Sequence, residues 1–171
     1  MADTLIQWVR TAKGTGERLT AQAPLAFTAG PAPDMASITV DARTRFQTIE
    51  GFGGAFTEAA AVTLYKMPPD KQTEILKAYF DPREGHGYAL CRTHINSCDF
   101  SLGNYAYDEV AGDVDLTHFS IDRDRQALIP MIKAAMAVTG GALKLFASPW
   151  SPPAWMKTNG EMNHGGKLKP E

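Results

Sequence analysis

The sequence has little that would commit it to a membrane, to nucleic acid or to a disulfide framework. No apolar run in its 171 residues approaches the roughly 20 needed to span a bilayer. The N-terminal MADTLIQWVRTAKG lacks the charged-then-apolar pattern of an export signal. No transmembrane segment is expected, and the chain is expected to be cytoplasmic, or else processed and secreted. Seventeen basic against nineteen acidic residues give a net charge of −2, with no basic run to follow a phosphate backbone, so no nucleic-acid partner is expected. The only cysteines, Cys91 and Cys98, stand seven positions apart in one predicted strand. They would point to opposite faces, about 23 Å apart in extended chain, which excludes a disulfide between them. The four histidines, His86, His94, His118 and His164, have no metal-ligand spacing, and neither a metal nor a cofactor is expected. What remains, 44% hydrophobic and 21% charged, is an ordinary globular composition at the length of one domain.

From Thr4 to Gln47 the pattern reads as β. TLIQWVRTA and ERLTAQAPLAF flank the turn Lys13-Gly14-Thr15-Gly16, and SITVDA follows Gly30-Pro31-Ala32-Pro33. Residues 1–46 are thus expected to form a small separate β-domain. Alternation of strand and helix begins at Gln47. Ile49 to Phe56 reads as a strand in which Gly51, Gly53 and Gly54 allow close approach of another strand, a better account than a phosphate loop, since GFGG does not fit the dinucleotide fingerprint. Thr57 is placed to cap an alanine-rich helix. Pro68 and Pro69 start a second helix, with Ile75, Leu76, Tyr79 and Phe80 on one face.

The next strand, GYALCRTHINSCDFS, alternates Cys91, Thr93 and Ile95 against Leu90, Arg92, His94 and Asn96. A parallel strand covered by helices is apolar on its outer side, so Arg92, His94 and Asn96 are expected to face a barrel lumen. A buried guanidinium there needs carboxylate partners, either in a structural ion pair or in an active site. Asp99 and Phe100 end this strand. The carboxylate of Asp99 can accept hydrogen bonds from sugar hydroxyls, or cap its own loop. The acidic run Asp108, Glu109, Asp113 and Asp115 lacks calcium-loop spacing and reads as a solvated loop. Ser120 caps a helix over IDRDRQALIPMIKAAMAV, bent by Pro130 and ended by Gly140-Gly141, with Leu128, Ile129, Ile132, Ala135 and Met136 on its core face.

A buried strand (Leu143, Leu145, Phe146, Ala147) then breaks into Ser148-Pro149-Trp150-Ser151-Pro152-Pro153-Ala154-Trp155, where three prolines forbid a regular ladder. Two indoles on a stiff loop at the C-terminal end of a barrel strand either make a platform for a sugar ring or plug the rim of a core. After Gly160 the chain reads as a polar tail with no further strand.

Taken together, EGFGGAFTEAAA, CRTHINSCDFSLGNYAY and LFASPWSPPAWMKTNG resemble the opening of a glucosylceramidase-type β-glycosidase of glycoside hydrolase family 30, a resemblance that runs from about Trp8 to the end. It implies an α/β fold: residues 47–171 as the first three β/α units of a (β/α)8 TIM barrel, and the N-terminal strands as part of a side β-sandwich. By this resemblance Asp99 binds hydroxyls of the terminal glucose and Trp150 lines the same subsite, with Phe100 and Trp155 beside them. Arg92 and Asn96 support the active site, Arg92 by holding its carboxylates. The implied substrate is glucosylceramide or a related β-glucoside. Other family activities, on β-1,6-glucan or β-xyloside, and a non-catalytic sugar-binding or assembly role are the alternatives.

The two glutamates of a retaining glycosidase follow the fourth and seventh barrel strands in this family, the first within Asn-Glu-Pro. No Asn-Glu dipeptide occurs in the chain. The resemblance therefore places the acid/base and the nucleophile beyond Glu171, and Glu58 and Asp99 are a poor substitute pair. The 171 residues alone are expected to be inactive, and a chain carrying the rest of the barrel is the partner this implies.

Overall fold

A computed structural model describes residues 5–31 and 34–170. Thr4 and the Ala32-Pro33 part of the expected turn lie outside the described residues. The chain divides into two compact units, one reaching Gln47 and the other beginning at Thr48.

In the first unit four strands of two residues each form a broken hairpin. β1 (Leu5–Ile6) pairs antiparallel with β4 (Leu25–Ala26), and β2 (Val9–Arg10) with β3 (Thr20–Ala21). The Arg10 guanidinium clasps Glu17 through Nε and Nη2 at 2.6 and 2.8 Å across the turn. SITVDA, expected as a strand, forms none. Ile38 and Val40 are 94% and 87% exposed, and β-branched residues hold a strand only where a neighbour accepts their backbone and side chains.

The second unit is α/β. β5 (Ala55–Phe56), β6 (Leu90–Ile95) and β7 (Lys144–Pro149) make a parallel sheet in that order, each connection carrying helices. The strand expected from Ile49 is reduced to two ladder residues. Before them the chain runs against β6 irregularly, with the Phe52 carbonyl accepting from both Ala89 and Leu90 N–H. Gly53 is what permits this approach, since a Cβ there would lie 1.9 Å from the Leu90 carbonyl oxygen. α1 (Glu58–Tyr65) starts at Thr57, whose hydroxyl accepts from Ala60 N–H at 3.3 Å, and α2 (Pro69–Phe80) has proline at its first position, as expected.

The single helix expected after Ser120 is two, α3 (Asp122–Gln126) and α4 (Leu128–Val138). The break falls at Ala127 (φ −142°, ψ −45°), within one turn N-terminal to Pro130, where the proline ring meets the preceding carbonyls. Gly140 and Gly141, both at positive φ, end α4, and Gly141 N–H reaches back to the Met136 carbonyl. Phe56, Leu64, Leu76, Phe80, Cys91, Leu128, Ile132, Ala135 and Leu143 form the core between helices and sheet. Phe56 and Phe80 stack there at 5.5 Å, and full burial of each such side chain contributes about 1.5–3 kcal/mol. Met136 is 39% exposed rather than in the core. The 3.6-residue phase restarts at the Ala127 break and brings Met131, Ala134 and Val138 against the core instead.

β7, expected as a buried strand, is exposed along both faces, with Leu145 and Phe146 41% and 55% accessible, because among the described residues no α-helix follows it to pack back on the sheet. Cys98 stands beyond the end of β6 rather than within it, and both cysteines are free. The polar tail folds back, Lys157 bridging Leu168 in antiparallel fashion. Among the described residues no helix is long and apolar enough to cross a membrane.

Candidate functional site

At the C-terminal end of the sheet, β6 gives way to a loop at Asn96. Its φ of 61° is a left-handed value that asparagine tolerates better than most residues, and this turn ends the strand alternation expected to run through it. Buried Asn96 then ties two loops together. Its Nδ2 donates to the Ser151 carbonyl at 3.0 Å, and its Oδ1 accepts from Tyr107 N–H at 2.9 Å. A tight turn follows, with Cys98 N–H donating to Ser101 Oγ at 3.0 Å and Ser101 N–H to the Cys98 carbonyl at 3.1 Å. Asp99 is exposed at its tip.

Glu58, buried in the first turn of α1, fixes this loop. Its carboxylate accepts from Leu102 N–H at 2.7 Å and from Arg123 Nε at 2.7 Å and Nη2 at 3.2 Å. Burial alone would raise the Glu58 pKa, but the guanidinium and the amide outweigh it and hold the carboxyl below its ordinary value. Arg123 also lies 4.1 Å from the Tyr105 ring centroid. The Asp124 carboxylate accepts from both Tyr105 and Tyr107 hydroxyls; burial and this anion push both phenols well above their ordinary pKa. Asp108, expected in a solvated loop, is buried, with Oδ1 accepting from Val110 N–H at 3.0 Å. The Trp155 indole N–H donates to the Asp108 carbonyl at 3.1 Å.

Asp99 and Trp150 line one cleft of about 420 Å³, with Asn104, Ser151, Met162 and Asn163 among its other walls. Trp150 is half exposed. The Arg92 guanidinium lies 5.2 Å from its ring centroid and donates through Nη1 to Ser148 Oγ at 3.4 Å; its partners are thus an indole and a hydroxyl. Phe100 turns away from this cleft and lines a separate apolar groove beside α1 and α2. Trp155 stands behind the cleft against Asp108. Met162 and Asn163 were not foreseen as site residues. The turn signal that could have found them is Asn163-His164-Gly165-Gly166, whose last three residues all adopt positive φ and reverse the tail. The cleft offers one carboxylate, an indole face and two amides, a set suited to holding a polyhydroxylated ring. Among the described residues no cluster of histidine, cysteine or acidic side chains could hold a metal ion.

The model of the glycosyl hydrolase family 30 TIM-barrel domain matches residues 49–171. The chain is 46% identical over 134 residues to putative glucosylceramidase 3 of Caenorhabditis elegans, covering 78% of this chain and 26% of that protein. It is 38% identical over 133 residues to the lysosomal acid glucosylceramidase of Mus musculus, covering 77% and 26%. Among solved structures, SrfJ from Salmonella typhimurium superposes with a TM-score of 0.74 at 44% identity, over 86% of this chain and 33% of that one. The endo-β1,6-glucanase BT3312 superposes with a TM-score of 0.66 at 27% identity, over 83% and 29%. The chain thus spans about a quarter of the length of these curated relatives. Its parallel sheet and helices are the N-terminal part of a (β/α)8 barrel.

Proposed function

The chain belongs to glycosyl hydrolase family 30, and on that footing we propose that it is the N-terminal, sugar-holding portion of a retaining β-glucosidase of the glucosylceramidase type. Its substrate is glucosylceramide or a related β-glucoside. The observation that carries this reading is the meeting of Asp99 and Trp150 in one cleft. An ionised carboxylate accepts short, charge-assisted hydrogen bonds from two ring hydroxyls, while an indole covers the apolar C–H face of a pyranose. Asn104 and Asn163 add groups that both donate and accept, as hydroxyls do.

Hydrolysis with retention needs a proton donor and a nucleophile about 5–5.5 Å apart. Among the described residues Asp99 is the one carboxylate lining the cleft, and Glu58 is engaged with Arg123 and Leu102. We therefore assign the two catalytic glutamates to barrel strands outside these 171 residues and expect no turnover from residues 1–171 alone. A β-1,6-glucan is the second reading, favoured by the likeness to the endo-β1,6-glucanase, since the same cleft would hold a glucose ring in either substrate, terminal in the glucoside and internal in the glucan.

Titration with methyl β-D-glucopyranoside, followed by saturation-transfer NMR on the 171-residue chain, tests the cleft. Asp99→Ala should weaken binding by about 1.5–3 kcal/mol, the value of a charged hydrogen bond, with little change in melting temperature. Equal affinity in Asp99→Ala would remove the sugar role from that residue. Steady hydrolysis of an aryl β-glucoside by residues 1–171 would overturn the placement of the glutamates.

A further inference from the structure

An ammonium group is among the costliest side chains to bury, yet Lys157 is 7% exposed. Its hydrogen-bond partners are neutral. Nζ donates to the Met162 carbonyl at 2.9 Å and to the Asn163 carbonyl at 3.5 Å. Ser151 Oγ donates to the same Met162 carbonyl at 2.7 Å, and the Ser151 carbonyl in turn accepts from Asn96 Nδ2. The two arms of the returning tail close around this group. Thr158 N–H donates to the Lys167 carbonyl at 2.8 Å, Lys169 N–H to the Met156 carbonyl at 2.9 Å, and Asn159 Nδ2 to the Asn163 carbonyl at 2.9 Å. The segment so gathered supplies Met162 and Asn163 to the cleft that also contains Asp99 and Trp150.

An ammonium has three donors in a compact head and can draw adjacent carbonyls to one point, which a single hydroxyl or amide does less completely. Two consecutive carbonyls turned toward Nζ fix the backbone of the turn that carries the Asn163 side chain. A methionine of similar volume would fill the same space at a lower desolvation cost but would leave both carbonyls without this donor.

We propose that Lys157 is a positioning residue for the glucoside cleft. By holding the Met162 and Asn163 carbonyls behind the wall, it sets the Asn163 amide where it can meet ring hydroxyls that Asp99 does not reach. This inference rests on the glucoside reading of the cleft.

The test is a double-mutant cycle on the 171-residue chain, with Lys157→Met, Asn163→Ala and the pair. Affinity for methyl β-D-glucopyranoside is read by saturation-transfer NMR, and backbone protection by hydrogen exchange with mass spectrometry. Lys157→Met should weaken binding about five- to tenfold, the loss of one neutral hydrogen bond. Protection should fall in residues 157–169 and stay unchanged in residues 90–95. Adding Lys157→Met to Asn163→Ala should cost no further affinity, because the lysine acts through that amide. Unchanged affinity in Lys157→Met, or additive losses in the pair, would overturn the proposal. Should Lys157→Met lose protection in residues 90–95, Ser151→Ala, which removes the other donor to the Met162 carbonyl, decides in its place. A fall in affinity that disappears when Ser151→Ala is combined with Asn163→Ala then supports positioning, and unchanged affinity or an additive loss overturns it. Absence of binding by the unmutated chain would instead overturn the glucoside reading, and this inference with it.

Discussion

Removing the charge of Glu58 should loosen the loop that presents Asp99. In Glu58→Gln the side chain keeps its size but loses its charged bonds to Arg123 and Leu102 N–H, at a cost of about 1.5–3 kcal/mol in urea unfolding. The pH dependence has a definite sign. The folded carboxyl titrates below its ordinary value of about 4.3, so the stabilisation is complete above that pH and is lost as pH falls through the depressed folded value. The unfolding midpoint of the unmutated chain should drop across this acid window, and Glu58→Gln should drop less. Arg92→Leu is expected to cost about 0.5–2 kcal/mol, as for a cation on an indole face, rather than the larger penalty of a broken buried ion pair. That Asp99 and Trp150 line one cleft was legible because each follows the C-terminal end of one of two neighbouring parallel strands, β6 and β7. Asp108 was not, because the indole that meets its carbonyl, Trp155, is distant in sequence, and Lys157 was not, because the turn five to six residues on that supplies its carbonyl partners reads as a polar tail. A local pattern of charges reads as solvated unless something far along the chain covers it.

Elements show the same division between local and distant causes. Caps and terminators were readable at Thr57, Pro69 and Gly140-Gly141, since each acts on atoms within a few residues. Strand length was not. Ladder bonds depend on a neighbour, and SITVDA, with good β-branched residues, has no partner strand among the described residues. Gly53 gives a test of β5 against β6. Gly53→Ala puts a methyl group into the Leu90 carbonyl, so the strands must separate, and thermal unfolding should show a loss of about 1–3 kcal/mol. At Gly140, where φ is +63° and nothing lies within 4 Å, alanine meets only backbone strain. It should cost about 1 kcal/mol, a difference that separates close packing from conformation as the reason for glycine.

For the second unit as a whole, the exposed apolar surface of β7 is the dominant liability. Leu145 and Phe146 project from opposite faces of a strand that pairs on one side only among the described residues. The 171-residue chain should self-associate as its concentration rises, and Phe146→Lys should shift light scattering toward the monomer without changing α-helical content. The same strand has a kinetic consequence. The β6–β7 ladder is the longest in the molecule, six pairs against two for β5–β6, and it joins Leu90 to Lys144 across a long intervening segment. Contacts of such sequence separation must close a large loop before any ladder bond rewards it, whereas α2 and the turn into β6 involve near neighbours. Folding is therefore expected to proceed from α2 and β6 toward β7. Conservative substitutions within Lys144–Pro149 should accelerate unfolding while leaving the refolding rate almost unchanged.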